Sequence, residues 1–211
     1  MKPFYRILTA LLLSIVLTSC AKTKFTKQWM DEDFEGPPYD DVLVLVVADK
    51  MGNRQDAENY IVKKLDEAGV NAMQSYDILP KTETIDAEAV GKAIDGLQLD
   101  SVIVMYATGV TEEEYYKPAR RFGVYTGYGY GHAHYGSFYN YYPHAYTYVY
   151  LPGYDNTHHV VAIETSLFDI ESAKMVWSGQ SNTFAPESVD DVIHSITVLT
   201  INELKKKKII E

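Results

Sequence analysis

An α/β domain built on one mixed sheet is the fold class this sequence predicts, and three observations predict it. Asp41–Ala48, read Asp-Val-Leu-Val-Leu-Val-Val-Ala, is a continuous β-branched and aliphatic run, as expected of a strand covered on both faces. Two stretches of helical periodicity then separate this run from two further extended runs. Such a β-α-β-α-β order implies parallel strands joined by right-handed crossovers. Finally, His159–Asp169 and Lys174–Phe184 are extended segments joined only through Ile170–Ala173, and strands so close in sequence must be antiparallel.

Each element has its own local reason. After the first strand Asn53 is placed to cap a helix whose apolar residues, Ala57, Ile61, Leu65 and Ala68, recur at helical spacing. Gly69 supplies its stop. Val70–Tyr76 is a second, shorter strand closed by Leu79-Pro80, and a second helix places Ala87, Val90, Ile94 and Leu97 on one face. Ser101–Val110 is the third parallel strand. A tyrosine-rich hairpin insertion occupies about residues 115–155, and the antiparallel pair follows it. Ser188-x-x-Asp191 is a capping box with aspartate in the usual glutamate place. It opens a C-terminal helix with Val189, Val192, Ile193, Ile196 and Leu199 inward, which ends in Lys205–Lys208, where cations suit the helix dipole.

The amino terminus reads as an address rather than as fold. Lys2 and Arg6 precede a short apolar core, Ile7–Leu17, well below the roughly 20 residues a spanning helix needs. It ends in Leu17-Thr18-Ser19-Cys20, which resembles the lipobox of bacterial lipoproteins. That resemblance implies removal of residues 1–19 as a signal peptide and lipidation of Cys20, which anchors the chain to a membrane through acyl chains. Ala21 follows, and in enterobacterial lipoproteins a non-acidic residue there implies sorting to the outer membrane, facing the periplasm. Residues 20–41 read as a lipid-anchored tether ending in the break Gly36-Pro37-Pro38, and residues 42–211 as a single domain. Trp29, within the tether, either docks on the domain or sits at the membrane interface.

Composition narrows the classes. Cys20 is the single cysteine, so the chain has no internal disulfide, and once Cys20 is lipidated it has no thiol nucleophile. Loss of Lys2 and Arg6 with the signal leaves 17 basic residues against 29 acidic ones, a net charge of −12. A surface so acidic excludes nucleic acid as a partner.

A broader resemblance rests on Trp29, Gly36-Pro37-Pro38, the Asp41–Ala48 strand, Arg54 at a helix start, Gly69-Val70 and Ser75-Tyr76…Leu79-Pro80. It continues in Leu167-Phe168-Asp169…Lys174-Met175-Val176-Trp177-Ser178-Gly179. These stretches resemble a group of uncharacterised Gram-negative envelope lipoproteins with Gly/Tyr-rich hairpins. More remotely, the chain is similar to the amino-terminal domain of the Tol–Pal translocation protein and to the curli-secretion lipoprotein fold. The shared motifs are structural, so the resemblance implies an envelope α/β domain and transfers no catalytic residue.

Catalytic motifs are wanting. Asp49-Lys50-Met51-Gly52-Asn53-Arg54 stands where a phosphate loop would, but Gly52 is its only glycine, and neither nucleotide-binding fingerprint is present. Arg54 remains as an anion-binding candidate at the helix start. Ser137 and Ser178 lack the G-x-S-x-G context of a nucleophile elbow. No enzyme activity is expected, and no cofactor.

The most unusual stretch is Gly127–Tyr154, which carries ten of the 18 tyrosines and three of the six histidines. Tyr128, Tyr130, His132 and His134 alternate with Gly129, Gly131 and Ala133. Tyr142, His144, Tyr146, Tyr148 and Tyr150 alternate with Pro143, Ala145, Thr147 and Val149. Period-two alternation puts the large rings of both arms on one face of a hairpin turning near Ser137–Tyr141. Three uses of that face stand open: self-packing, contact with a partner protein or glycan, and contact with the membrane interface. His132, His134 and His144 are an alternative metal-ligand set, without a carboxylate or thiol nearby to complete it. The function expected is a non-catalytic, lipid-anchored periplasmic module that binds or scaffolds an envelope protein partner or itself. The alternatives are a glycan- or metal-binding protein using the hairpin, or an outer-membrane assembly or secretion component.

Overall fold

The computed structural model describes residues 22–48, 50–79, 87–112 and 159–211. Within them the chain forms β1 (Lys22–Met30), β2 (Asp41–Val47), α1 (Met51–Glu67), β3 (Asn71–Gln74), a 3-10 turn (Ser75–Asp77) and α2 (Ala87–Ile94). It continues with β4 (Ser101–Glu112), β5 (His159–Asp169), β6 (Met175–Phe184) and α3 (Val189–Lys206). The described strands make one mixed six-stranded sheet in the order β1-β6-β5-β4-β2-β3. β3, β2 and β4 are parallel, while β4, β5, β6 and β1 are antiparallel neighbour to neighbour. The α/β class, with its parallel half, antiparallel pair and C-terminal helix, is the one the sequence predicts.

Why β2 is apolar on both faces is now visible. Val42, Val44 and Val46 pack with Ala57, Ile61 and Leu65 of α1 and with Ile196 and Leu204 of α3. Leu43, Leu45 and Val47 point the other way, against Val102, Val104 and Ile94 of α2. The β2–β3 and β3–β4 crossovers move in opposite directions across the sheet, so right-handed connections require their helices on opposite faces. β6 shows the contrast. Trp177, Gly179, Ser181 and Thr183 are buried on the α3 side, and Ser178, Gln180, Asn182 and Phe184 alternate with them half-buried. Period-two burial is the mark of a strand with one face packed.

The first correction concerns the amino-terminal segment. Residues 22–30, expected to belong to the tether, form edge strand β1, paired antiparallel with β6 from Lys22↔Phe184 to Met30↔Trp177. Lys24 and Lys27 made the segment read as polar linker, yet lysine is what an exposed edge strand carries to discourage further pairing. Its inward side is specific: Thr23 Oγ1 donates to Ser195 Oγ of α3 at 2.7 Å. The Phe25 ring meets Trp177 edge to face at 5.6 Å. Both rings close over Gly179, where a Cβ would lie 2.7 Å from Phe25 Cε1 and from Trp177 Cη2. Trp29 docks on the domain, packed against the α2-side core.

Smaller corrections are local. α1 opens at Met51 with Lys50 as N-cap and no side-chain capping bond, so Asn53 lies inside the helix. Leu97 falls beyond α2 and is 38% exposed, and Val189 is exposed at the start of α3. β4 runs on to Glu112, beyond the expected end at Val110. The helix stops behave as read: Gly69 takes φ 91°, and the Val70 N–H returns to Leu65 O. At α3, Ser188 Oγ accepts the Asp191 N–H at 3.1 Å, and Asp191 Oδ2 accepts the N–H of Glu187 at 3.0 Å. The lysine run that ends α3 is not a free tail. Lys205 donates to Ala68 O at 2.7 Å, Lys206 and Lys207 pair with Glu203, and Ile209 and Ile210 turn back into the core.

Candidate functional site

Open α/β sheets bind ligands beyond the carboxyl ends of their parallel strands, where the strand order reverses. Here that point lies between β2 and β4, whose paired rows end at Val47↔Tyr106. α1 follows β2 from its N-cap Lys50, while β4 continues to Glu112.

Among the described residues near this end, the buried polar side chains of Arg54, Glu58 and Ser75 are bonded to one another. β3 pairs with β2 only as far as Val44↔Gln74, so the next N–H on that edge, that of Val46, has no strand opposite it. Glu58 fills the gap: its Oε1 accepts the Val46 N–H at 3.0 Å, Arg54 Nε at 2.8 Å and Ser75 Oγ at 2.8 Å. Its Oε2 accepts the Tyr76 N–H at 3.0 Å. Arg54 also donates through Nη2 to Ser75 Oγ at 2.7 Å. Arg54, Glu58 and Ser75 are all buried, with Glu58 and Ser75 at 0% exposure. A buried carboxylate is tolerable where a guanidinium and several donors satisfy it together. Chemically the arrangement is a latch: it ties α1 to the end of β3 and holds the guanidinium buried, at 3% exposure, against the Glu58 carboxylate. Arg54, the anion-binding candidate at the helix start, thus faces an internal carboxylate and the Ser75 hydroxyl. Glu58 was missed in the sequence, although its signal was there. It stands four residues after Arg54 on the same helix face as Ile61 and Leu65, an Arg–Glu pair turned inward.

The aromatic candidates Tyr128, Tyr130, His132, His134, Tyr142, His144, Tyr146, Tyr148 and Tyr150, and the lipidation candidate Cys20, lie outside the described residues. What is described is where their segments join the fold. β4 and β5 pair antiparallel through Val110↔Val161 and Thr111↔Val160 to Glu112↔His159. Residues 113–158 therefore leave and re-enter the sheet at facing positions, on the side of the molecule where the parallel strands end. Among the described residues no cluster of three or more His, Cys, Asp or Glu side chains could hold a metal ion, and no helix is long and apolar enough to cross a membrane.

No family model and no curated protein matches the chain. Among solved structures it is similar to a PelC dodecamer from Paraburkholderia phytofirmans, with TM-score 0.40, 11% identity and coverage of 83% of this chain and 91% of that one. It is also similar to lipoprotein GNA1162 from Neisseria meningitidis, with TM-score 0.40, 11% identity and coverage of 79% and 99%. Likeness at this level assigns no residue a role.

Proposed function

We propose that the protein is a lipid-anchored module of the cell envelope, held by acylated Cys20 at the periplasmic face of the outer membrane. Its role is to bind or scaffold another envelope protein or a second copy of itself, without catalysis. The binding surface is the ringed face of residues 128–150: Tyr128, Tyr130, His132, His134, Tyr142, His144, Tyr146, Tyr148 and Tyr150. One observation carries this reading: the tyrosine-rich stretch is spliced between two facing residues, Glu112 and His159, at the end of the sheet where α/β domains place their ligands. Tyrosine suits such a face because it gives large contact area for few rotatable bonds. The closed state of the Arg54–Glu58–Ser75 group supports a binding role over a catalytic one. Its carboxylate, Glu58, holds the backbone N–H groups of Val46 and Tyr76.

The test is crosslinking in intact cells followed by capture of the protein. Wild type is compared with a variant carrying Tyr128→Ser, Tyr130→Ser, Tyr146→Ser and Tyr148→Ser. The expected result is loss of a discrete crosslinked species, with circular dichroism and thermal midpoint preserved. An unchanged set of crosslinks would sink the proposal.

A further inference from the structure

Three segments that stand far apart in the sequence reach the same end of the sheet. β1 begins at Lys22, opposite Phe184 at the end of β6. Phe184 is in turn opposite Val160 at the start of β5, and Val160 is opposite Thr111 near the end of β4. Lys22, Phe184, Val160 and Thr111 therefore form one row across four strands, roughly 14 Å long at ~4.8 Å per strand. Because β1 starts at Lys22, a single residue, Ala21, separates the fold from Cys20. Two chain steps span about 7 Å at most. A tether of twenty residues would let the domain tumble freely over its anchor, but a link of one residue does not.

We propose that the row Lys22–Phe184–Val160–Thr111 faces the lipid surface to which Cys20 is attached, and that the turn joining β5 to β6 points away from it. This rests on the lipidation of Cys20 proposed above and adds an orientation to it. β5 is 11 residues long, so the two ends of the antiparallel half stand about 35 Å apart. At the near end Lys24 Nζ lies 5.0 Å over the Phe184 ring, a cation and an aromatic ring at the level where headgroups would be. Glu187 and Asp190 are exposed on the same side, so acyl attachment rather than net charge holds this face down. The basic cluster Lys205–Lys208 is at the opposite end, beside Ala68 O. It therefore takes no part in contact with the anchoring membrane, and residues 113–158 start and finish on the lipid side.

Full-length protein matured in a bacterial envelope tests this with a fluorophore on one introduced cysteine. The native thiol is consumed by the lipid. Glu187→Cys reports the near end and Glu171→Cys the turn between β5 and β6; both sites are exposed. Each is reconstituted into phosphatidylethanolamine–phosphatidylglycerol vesicles doped with a headgroup-nitroxide lipid. The expected result is severalfold stronger quenching at position 187 than at 171. Equal quenching, or stronger quenching at 171, overturns the orientation. The mass of the amino-terminal peptide from the same preparation separates the two ideas. If Cys20 carries no acyl chain, anchoring and orientation fall together. If it is acylated and position 171 is the quenched one, the orientation alone falls.

Discussion

At the scale of single residues, the energetics of this fold concentrate where a backbone group would otherwise go unpaired. Glu58 serves two backbone N–H groups and two side chains at once. Glu58→Ala leaves the Arg54 guanidinium buried without its partner and strands the N–H groups of Val46 and Tyr76. Removing one side of such a buried pair costs ~3–5 kcal/mol, so urea titration is expected to show a loss of that size. A loss below about 1 kcal/mol would mean that water replaces the carboxylate and the latch is dispensable. Tyr39 carries a different, pH-dependent contribution. Its ring stacks on Phe34 and its hydroxyl donates to Asp169 Oδ2 at 3.2 Å. Burial, followed by the charge of Asp169 and their hydrogen bond, raises the phenol well above its ordinary value. The folded state therefore holds the phenolic proton more tightly than the unfolded chain does. The associated stability is fully present below the unfolded phenol's pKa of about 10 and falls as pH rises above it. With 18 tyrosines in the chain, the difference between wild type and Tyr39→Phe is the informative quantity. Their unfolding free energies are expected to run parallel from pH 7 to 9 and to converge above pH 10, as read by denaturant titration at each pH.

At the scale of elements, sequence and structure agree wherever hydrophobic period and punctuation speak together. β2 was legible because it is apolar on both faces, α1 because Ala57, Ile61 and Leu65 repeat and Gly69 stops it, and α3 because Ser188 and Asp191 close a box. β1 was not legible, for a physical reason. An edge strand needs only one inward stripe, and here it is Thr23 and Phe25 set among lysines. The cue that identifies this strand is not in the strand at all. It is Gly179 on β6, whose missing side chain makes room for the Phe25 and Trp177 rings. The candidate site divides in the same way: the position of the tyrosine-rich stretch between β4 and β5 could be read, whereas the closure of Arg54 by Glu58 needed the third dimension. Hydrogen exchange checks β1 directly. Amides that pair with β6 between Lys22 and Met30 are expected to be protected at least a hundredfold over unstructured-peptide rates, since opening them requires separating the edge strand. Rates within severalfold of those peptide values would return the segment to a tether.

At the scale of the whole molecule, the register of β4 and β5 makes a prediction about what the fold requires. These strands stay paired for eleven positions, from Ser101↔Asp169 to Glu112↔His159, with one irregularity between Ala107 and Gly109. Among the described residues, both core clusters are built from β2, β4, β5, β6 and the helices, and Tyr106, Val110, Val160 and Val161, flanking the tyrosine-rich stretch, are buried or packed. Glu112 and His159 face each other, so a two-residue Asn-Gly turn is geometrically sufficient to join them. Replacing the 46 residues 113–158 by such a turn also shortens a closed loop by about four and a half doublings. At ~0.6 kcal/mol per doubling this favours the folded state by roughly 3 kcal/mol. If the ringed face serves a partner, the shortened protein is expected to unfold in one cooperative transition, with a thermal midpoint at or above that of the full chain, and to lose its envelope crosslinks. If the rings instead pack on the domain's own surface, exposing what they cover costs more than loop closure returns. The midpoint then drops by ten degrees or more, and the transition broadens. Differential scanning calorimetry on the two proteins distinguishes these outcomes, because only the second requires part of the core to lie in residues 113–158.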